Sequence, residues 1–293
     1  MNKLKKLINL LCVGASLSIA LSTAVYADER PNFIIIFTDD QGYQDLGCFG
    51  SPDIKTPRLD QMAKEGMRFT SFYAQTVCGP SRGALMTGCY PIRFARQDKP
   101  DSVHPELHLD EITIAEMLKE QGYATAAFGK WDLAGHSQEK YKPELLPKHQ
   151  GFDTFFGTPT SNDARVNLIR NTEMIEERSD MSAVTKRYTD EAIAFIEKSK
   201  KAPFFVYLAH SMPHTRLAAS ADFKGKSAGG LYGDVIEELD FNVGRVLDKV
   251  KELGLDDNTY VIFTSDNGPW FIKKDNGGHA DPLRGAKTSC WEG

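Results

Sequence analysis

The sequence predicts an α/β fold, a mostly parallel sheet sandwiched by helices. Three observations carry that reading. Apolar runs of strand length recur at 32–38, 203–209 and 259–264, continuous rather than alternating, as in strands buried on both faces. Segments of helical length separate them, at 181–199 and from Tyr232 to Leu253. Clusters of Asp, Asn and Gly follow the first and last of these runs, where ligands bind in open α/β sheets.

In order along the chain, Pro31 leads into the first strand, Asn32 to Thr38. Thr56-Pro57 opens a helix to Glu65, with Thr as cap and Pro in the first turn. Met67 to Tyr73 reads as a strand and Ser81 to Thr87 as a short helix. Asp110 is the expected cap of a helix through Lys119 that ends at Gly122, and Tyr123 to Phe128 is strand-like. Residues 132–180 lack regular periodicity and are expected to form an inserted loop region over the sheet. The long helix from Tyr232 stops before Gly254, and Thr259 to Thr264 forms the last strand.

Lys3, Lys5 and Lys6 precede an apolar run ending near Val25, with Ala27 ahead of Asp28-Glu29. Residues 1–27 therefore read as a signal peptide cleaved after Ala27, which predicts a periplasmic or secreted protein with no stable membrane anchor. The net charge of the 293 residues is −5. Cleavage would remove three lysines and no acid, leaving 32 basic against 40 acidic residues. That balance argues against nucleic-acid binding, which needs a basic surface. Cleavage would also remove Cys12, leaving Cys48, Cys78, Cys89 and Cys290, which match no zinc pattern. In an oxidising compartment one disulfide among them is plausible.

The first strand ends in Asp39-Asp40-Gln41-Gly42 and the last in Ser265-Asp266-Asn267-Gly268. Such clusters often do no more than turn the chain. As a pair on matching strands they offer three carboxylates and an amide, an oxygen set suited to Ca²⁺ or, less well, Mg²⁺. Between them, Cys78-Gly-Pro80-Ser81-Arg82 sits at a helix start, where backbone N–H groups, the helix dipole and a guanidinium favour an anion. The same stretch can be read as a structural cysteine beside a helix. Gly79-Pro-Ser81-Arg-Gly83 also fits the serine nucleophile elbow, although proline before the serine suits that strained turn badly. Gly285-Ala286-Lys287-Thr288 lacks the spacing of a phosphate-binding loop. Pro213 prevents one helix from presenting His210 and His214 as a zinc pair, and His210 reads as structural or supporting.

Cys78-x-Pro80-Ser81-Arg82 followed by Ala-Leu-Met-Thr-Gly resembles the signature of the formylglycine-dependent sulfatases. Further matches run along the chain: Asp39-Asp40, Thr56-Pro57-Arg58, Gly129-Lys130-Trp131, Pro213-His214-Thr215, Asp266-Asn267-Gly268 and Gly285-Ala286-Lys287. The resemblance implies the alkaline-phosphatase-like fold and a sulfatase catalytic domain over 28–293. Relatives continue beyond Gly293 into another strand and a smaller C-terminal subdomain, so the catalytic domain reads as incomplete.

The resemblance also implies a chemistry. Cys78 is converted to formylglycine by a maturation enzyme, and one hydroxyl of its hydrate attacks the sulfur of a sulfate ester while the second later expels sulfate. Asp39, Asp40, Asp266 and Asn267, with residue 78, hold Ca²⁺; Arg82 holds the motif; Lys130 and Lys287 clamp the sulfate; His214 protonates the leaving oxygen. The implied substrate is a sulfated polysaccharide or oligosaccharide. Many relatives carry His where this chain has Asp132; a carboxylate can act as the base that regenerates the aldehyde, a structural role for Asp132 is equally allowed, and His136, four residues on, is a substitute candidate. Arg165, Arg170, Arg216 and Arg284 could read sugar hydroxyls or serve as surface charges. Two alternatives stay open: a phosphonate or phosphate ester hydrolase of the same superfamily, and an inactive relative that binds sulfated glycan.

Overall fold

The computed structural model describes residues 30–94, 106–163 and 165–293. The expected signal peptide 1–27 lies outside the described residues. Seven strands form one sheet: β1 (Asn32–Thr38), β2 (Ala124–Lys130), β3 (Thr154–Thr158), β4 (Leu168–Arg170), β5 (Glu173–Glu176), β6 (Phe204–Ala209) and β7 (Thr259–Ser265). Their order across the sheet is β5-β4-β3-β2-β6-β1-β7. The pairs from β3 to β7 are parallel, and β4 and β5 add an antiparallel edge.

Alternation within β1 divides the core. Ile34 and Ile36 face one layer, with Phe128, Val206 and Leu208, against α4 (Met181–Ser199) and α5 (Gly230–Glu252). Ile35 and Phe37 face the other, with Phe205 and Tyr207, against Met86 of α2 (Cys78–Thr87) and Ala115 of α3 (Ile114–Glu120). Side chains of a strand point to opposite faces in turn, so a run that is apolar at every position needs cover on both sides. Burying each such Ile or Phe contributes about 1.5–3 kcal/mol. A further helix, α1 (Pro57–Glu65), packs against α5 through Leu59, whose N–H donates to Asp240 Oδ1 at 2.8 Å.

Several local expectations are revised. Helix α2 begins at Cys78, so the thiol lies in the first helical turn rather than ahead of it. Asp110 is not the cap of α3; Thr113 is, in a reciprocal capping box with Glu116. The segment 67–73 forms no strand, because no described strand lies beside it to exchange ladder bonds, and Met67, Phe69, Phe72 and Tyr73 are exposed. Residues 132–180 are more than an inserted loop. They supply β3, β4 and β5, whose three to five residues are too short for periodicity to reveal. The four described cysteines are free thiols, in place of the one disulfide thought plausible. Cys48 packs into one layer of the core and Cys89 into the other, on opposite faces of the sheet, while Cys290 is exposed. Among the described residues no helix is long and apolar enough to cross a membrane.

Candidate active site

Four neighbouring parallel strands, β2, β6, β1 and β7, release their chains at one end of the sheet. Lys130 is the last residue of β2, Asp39 and Asp40 follow β1, Asp266 and Asn267 follow β7, and His214 lies on the loop after β6. Polar groups that the sequence spreads over more than 200 positions thus meet in one layer. Two of them are held in unusual backbone. Asp40 and Asp132 have φ of 63° and 57°, a left-handed conformation that Asp tolerates better than bulkier residues. Gly129 has φ of 110°, and a Cβ there would meet Ala209 O at 1.8 Å, so only glycine lets β2 deliver Lys130 this close to β6.

Cys78 is the centre of the cluster. Its thiol donates to Asp39 Oδ1 at 3.1 Å and lies 3.7 Å from Asp40 Oδ1 and 3.4 Å from Lys287 Nζ. Burial and the facing carboxylates of Asp266 and Asp39 push this thiol well above its usual range. It is therefore not a spontaneously ionised nucleophile. Arg82, one turn along α2, is fully buried. It donates to Asp266 Oδ2 at 2.7 Å and to the Lys130 carbonyl at 3.0 Å, and lies 3.4 Å from Asp39 Oδ2. Lys130 Nζ sits 2.6 Å from Asp39 Oδ2, and Lys287 Nζ donates to both oxygens of Asp40 at 2.6 and 2.8 Å.

Two buried carboxylates in this network titrate in opposite directions. Burial opposes charge on Asp39, yet Lys130, His214, Arg82 and Lys287 hold it well below the ordinary carboxylate range. Burial and the neighbouring Asp39 raise Asp266 to about 7 against the opposing pull of Arg82.

The residues suit a hard divalent ion. Asp39, Asp40, Cys78 and His214 each offer a ligand atom, all within 4.8 Å of one another. Asn267 donates through Nδ2 to Asp40 Oδ1 at 2.8 Å, while its Oδ1 is buried and accepts no hydrogen bond from the described residues. An orphaned buried carbonyl oxygen beside two carboxylates is an available cation ligand. Asp266 stands behind this group, its Oδ1 accepting from Asp40 N at 3.0 Å and its Oδ2 from Arg82. Three carboxylates already balance Arg82, Lys130 and Lys287. A divalent ion would leave the pocket positive, ready for a tetrahedral oxyanion.

Other sequence expectations separate here. Ser81 Oγ is tied to the backbone of Gln75 at both N–H and carbonyl, which removes it as an elbow nucleophile. His210 is buried, with burial holding it down to about 3, so it is a neutral structural ring against Tyr188. Arg165 pairs with Glu139, Arg170 with Glu191 and Arg284 with Glu292, as surface charges do, and Arg216 is exposed. Asp132 accepts from His136 at 3.2 Å and lies 3.6 Å from Lys130. Burial opposes its charge, but Lys130 and His136 keep it below the ordinary range.

Sequence reasoning missed Asp163, 3.6 Å from His214, and Trp270, whose ring lies 5.8 Å from that of His214 and under Lys287 Nζ at 4.8 Å. Only the polar run Ser161-Asn162-Asp163 after β3 could have flagged the first. Nothing in the sequence flagged the second.

A mostly parallel sheet gathers three carboxylates, three cations and a thiol in the first turn of a helix at one end of its strands. The chain belongs to the sulfatase family, whose match covers residues 31–293. It is 38% identical to N-acetylgalactosamine-6-sulfatase of Mus musculus, over 92% of this chain and 56% of that protein. It is 35% identical to arylsulfatase A of Homo sapiens, over 95% of this chain and 60% of that protein. Among solved structures it resembles the PsFucS1 sulfatase from Pseudoalteromonas sp., with a TM-score of 0.80 and 28% identity, over 90% of this chain and 60% of that one. The chain thus spans a little over half the length of these relatives.

Proposed function

We propose that this protein is a sulfuric ester hydrolase acting on a sulfated polysaccharide or oligosaccharide. The observation that carries the reading is the seat of Cys78: first turn of α2, its thiol in contact with Asp39, Asp40 and Lys287, with Arg82 beneath it. A side chain there faces both the proposed metal and the two lysines. The nucleophile would be formylglycine made from Cys78 by a maturation enzyme. The buried, un-ionised thiol supports this, since as a thiol it is a poor attacking group.

Asp39, Asp40 and Asn267, backed by Asp266, would hold Ca²⁺, which supplies a Lewis acid that lowers the pKa of the attacking hydroxyl and neutralises sulfate oxygens. The chain's own residues do the rest. Lys130, anchored on Asp39, and Lys287, anchored on Asp40, would meet the sulfate oxygens where negative charge builds in the transition state. Arg82 holds Asp39 and Asp266 in register from below. His214, almost fully buried at the pocket wall, is placed to give a proton to the departing alcohol oxygen.

A carbohydrate substrate is favoured by the name of the mouse relative, an N-acetylgalactosamine-6-sulfatase. We further propose export through cleavage after Ala27, which would bring the enzyme to polysaccharides outside the cytoplasm. The deciding experiment is the mass of the tryptic peptide Phe69–Arg82 from full-length protein purified from its native host. A peptide lighter than the thiol form that traps a hydrazine supports the reading; an unmodified thiol from that host overturns it.

A further inference from the structure

Beyond the groups used above, a path of acids and bases encircles the pocket. His214 Nε2 lies 3.6 Å from Asp40 Oδ2 and 3.6 Å from Asp163 Oδ1. The second oxygen of Asp163 lies 3.3 Å from His136 Nε2, and His136 Nδ1 lies 3.2 Å from Asp132 Oδ1. Asp132 Oδ2 then lies 3.6 Å from Lys130 Nζ, which returns to Asp39 at 2.6 Å. The path leaves from Asp40 and closes on its sequence neighbour.

Asp163 stands out within it. The loop after β3 grips His214 twice: Asn162 Nδ2 donates to the carbonyls of Ser211 at 3.1 Å and His214 at 3.5 Å, and Asp163 meets the imidazole. The loop is itself fastened to the 132–140 segment, because Gln138 Nε2 donates to Thr158 Oγ1 at 2.7 Å and to the Ser161 carbonyl at 2.6 Å. His214 Nδ1 lies 2.5 Å from the Thr215 carbonyl, which can only accept, so Nδ1 bears a hydrogen and Nε2 is the nitrogen free for proton transfer. That nitrogen is the one facing Asp163. The side chain of Asp163 is half exposed, whereas those of Asp132 and His214 are buried.

We propose that Asp163, steadied by His136 and through it by Asp132, is a positioning residue for leaving-group protonation. The inference rests on the sulfatase reading. As the nucleophile at residue 78 bonds to sulfur, the ester S–O bond breaks; the alcohol oxygen keeps the electron pair and takes a proton from Nε2 of the doubly protonated imidazole, which is left neutral with its hydrogen on Nδ1. Asp163 fixes the direction of that proton. Oriented partners of this kind typically change activity 10–100-fold.

The test compares kcat/KM for 4-nitrophenyl sulfate, whose phenolate departs readily, with that for phenyl sulfate, whose phenolate needs the proton. Full-length matured protein is used, as wild type, Asp163→Asn, Asp163→Glu and His136→Gln. Asp163→Asn is expected to lose at least about tenfold more on phenyl sulfate than on 4-nitrophenyl sulfate. His136→Gln should lose in the same sense but less, and Asp163→Glu should recover part of the loss. Equal losses on both esters, or no loss on either, would overturn the proposal. A wild-type enzyme bearing formylglycine that releases sulfate from neither ester nor from sulfated oligosaccharides would instead overturn the sulfatase reading, and this inference with it.

Discussion

Arg82 Nη2 and Asp266 Oδ2 form a 2.7 Å ion pair with both side chains fully buried, across 184 residues of sequence. The same guanidinium lies 3.4 Å from Asp39 and donates to the Lys130 carbonyl, so a single side chain ties the ends of β1, β2 and β7 together. A buried pair of this kind gains little over apolar packing, but losing one partner strands the other charge. Arg82→Met should therefore lower unfolding stability by about 3–5 kcal/mol, measured by denaturant titration of the full-length protein. A change near zero would show that the carboxylates find other partners.

Cys78→Ala removes the proposed nucleophile while leaving Arg82, the lysines and the acids in place. Sulfate release should fall to background with the circular dichroism spectrum unchanged. Undiminished turnover in that variant would end the formylglycine mechanism.

Lys287→Met removes the donor to both oxygens of Asp40 and one of the two cations at the sulfate position. Losing one such donor commonly costs 10²–10³-fold in rate. The expected result is a fall of about that size in kcat, larger than any rise in KM. A pure KM effect would assign Lys287 to substrate capture instead.

Metal binding has a readout independent of catalysis. Chelated protein should melt at lower temperature, and Ca²⁺ at about a hundred times its dissociation constant should restore about 2.7 kcal/mol. Asp40→Asn should blunt that rise. Mg²⁺ should restore less, since it prefers a tighter octahedral shell than this mixed set offers.

His136 supplies a pH signature. Burial opposes its charge, but hydrogen bonds to Asp132 and Asp163 raise it to about 9, above the 6.5 of an unperturbed imidazole. A raised folded-state value stabilises the protein fully below about pH 6.5, and that contribution disappears as pH climbs through 9. Melting temperature should fall between pH 7 and 10 in the wild type and fall less in His136→Gln. Parallel curves would show that His136 does not carry the difference.

Much of the site was legible because its chemistry is packed into short local motifs. Cys78 to Arg82 is one helical turn, and Asp39-Asp40 and Asp266-Asn267 each finish a strand whose apolar run is unmistakable. Asp163 and Trp270 were not legible, since the contact of each with His214 spans more than 50 residues of sequence. The three strands within 154–176 escaped for a related reason. Each is short, and its pairing partner rather than its own pattern makes it a strand.

The sequence by itself determined the α/β class, the positions of the long strands and helices, and which residue types would converge. Those depend on periodicity and on local capping chemistry, which act over a few residues. Only the tertiary structure decided the strand order β2-β6-β1-β7, and with it that Lys130, His214, Asp39 and Asp266 share one wall. It also decided that Asp132 faces His136 and Lys130 rather than solvent. Those outcomes are set by packing and by the cost of leaving buried charges unpaired, and both depend on residues far apart in the chain.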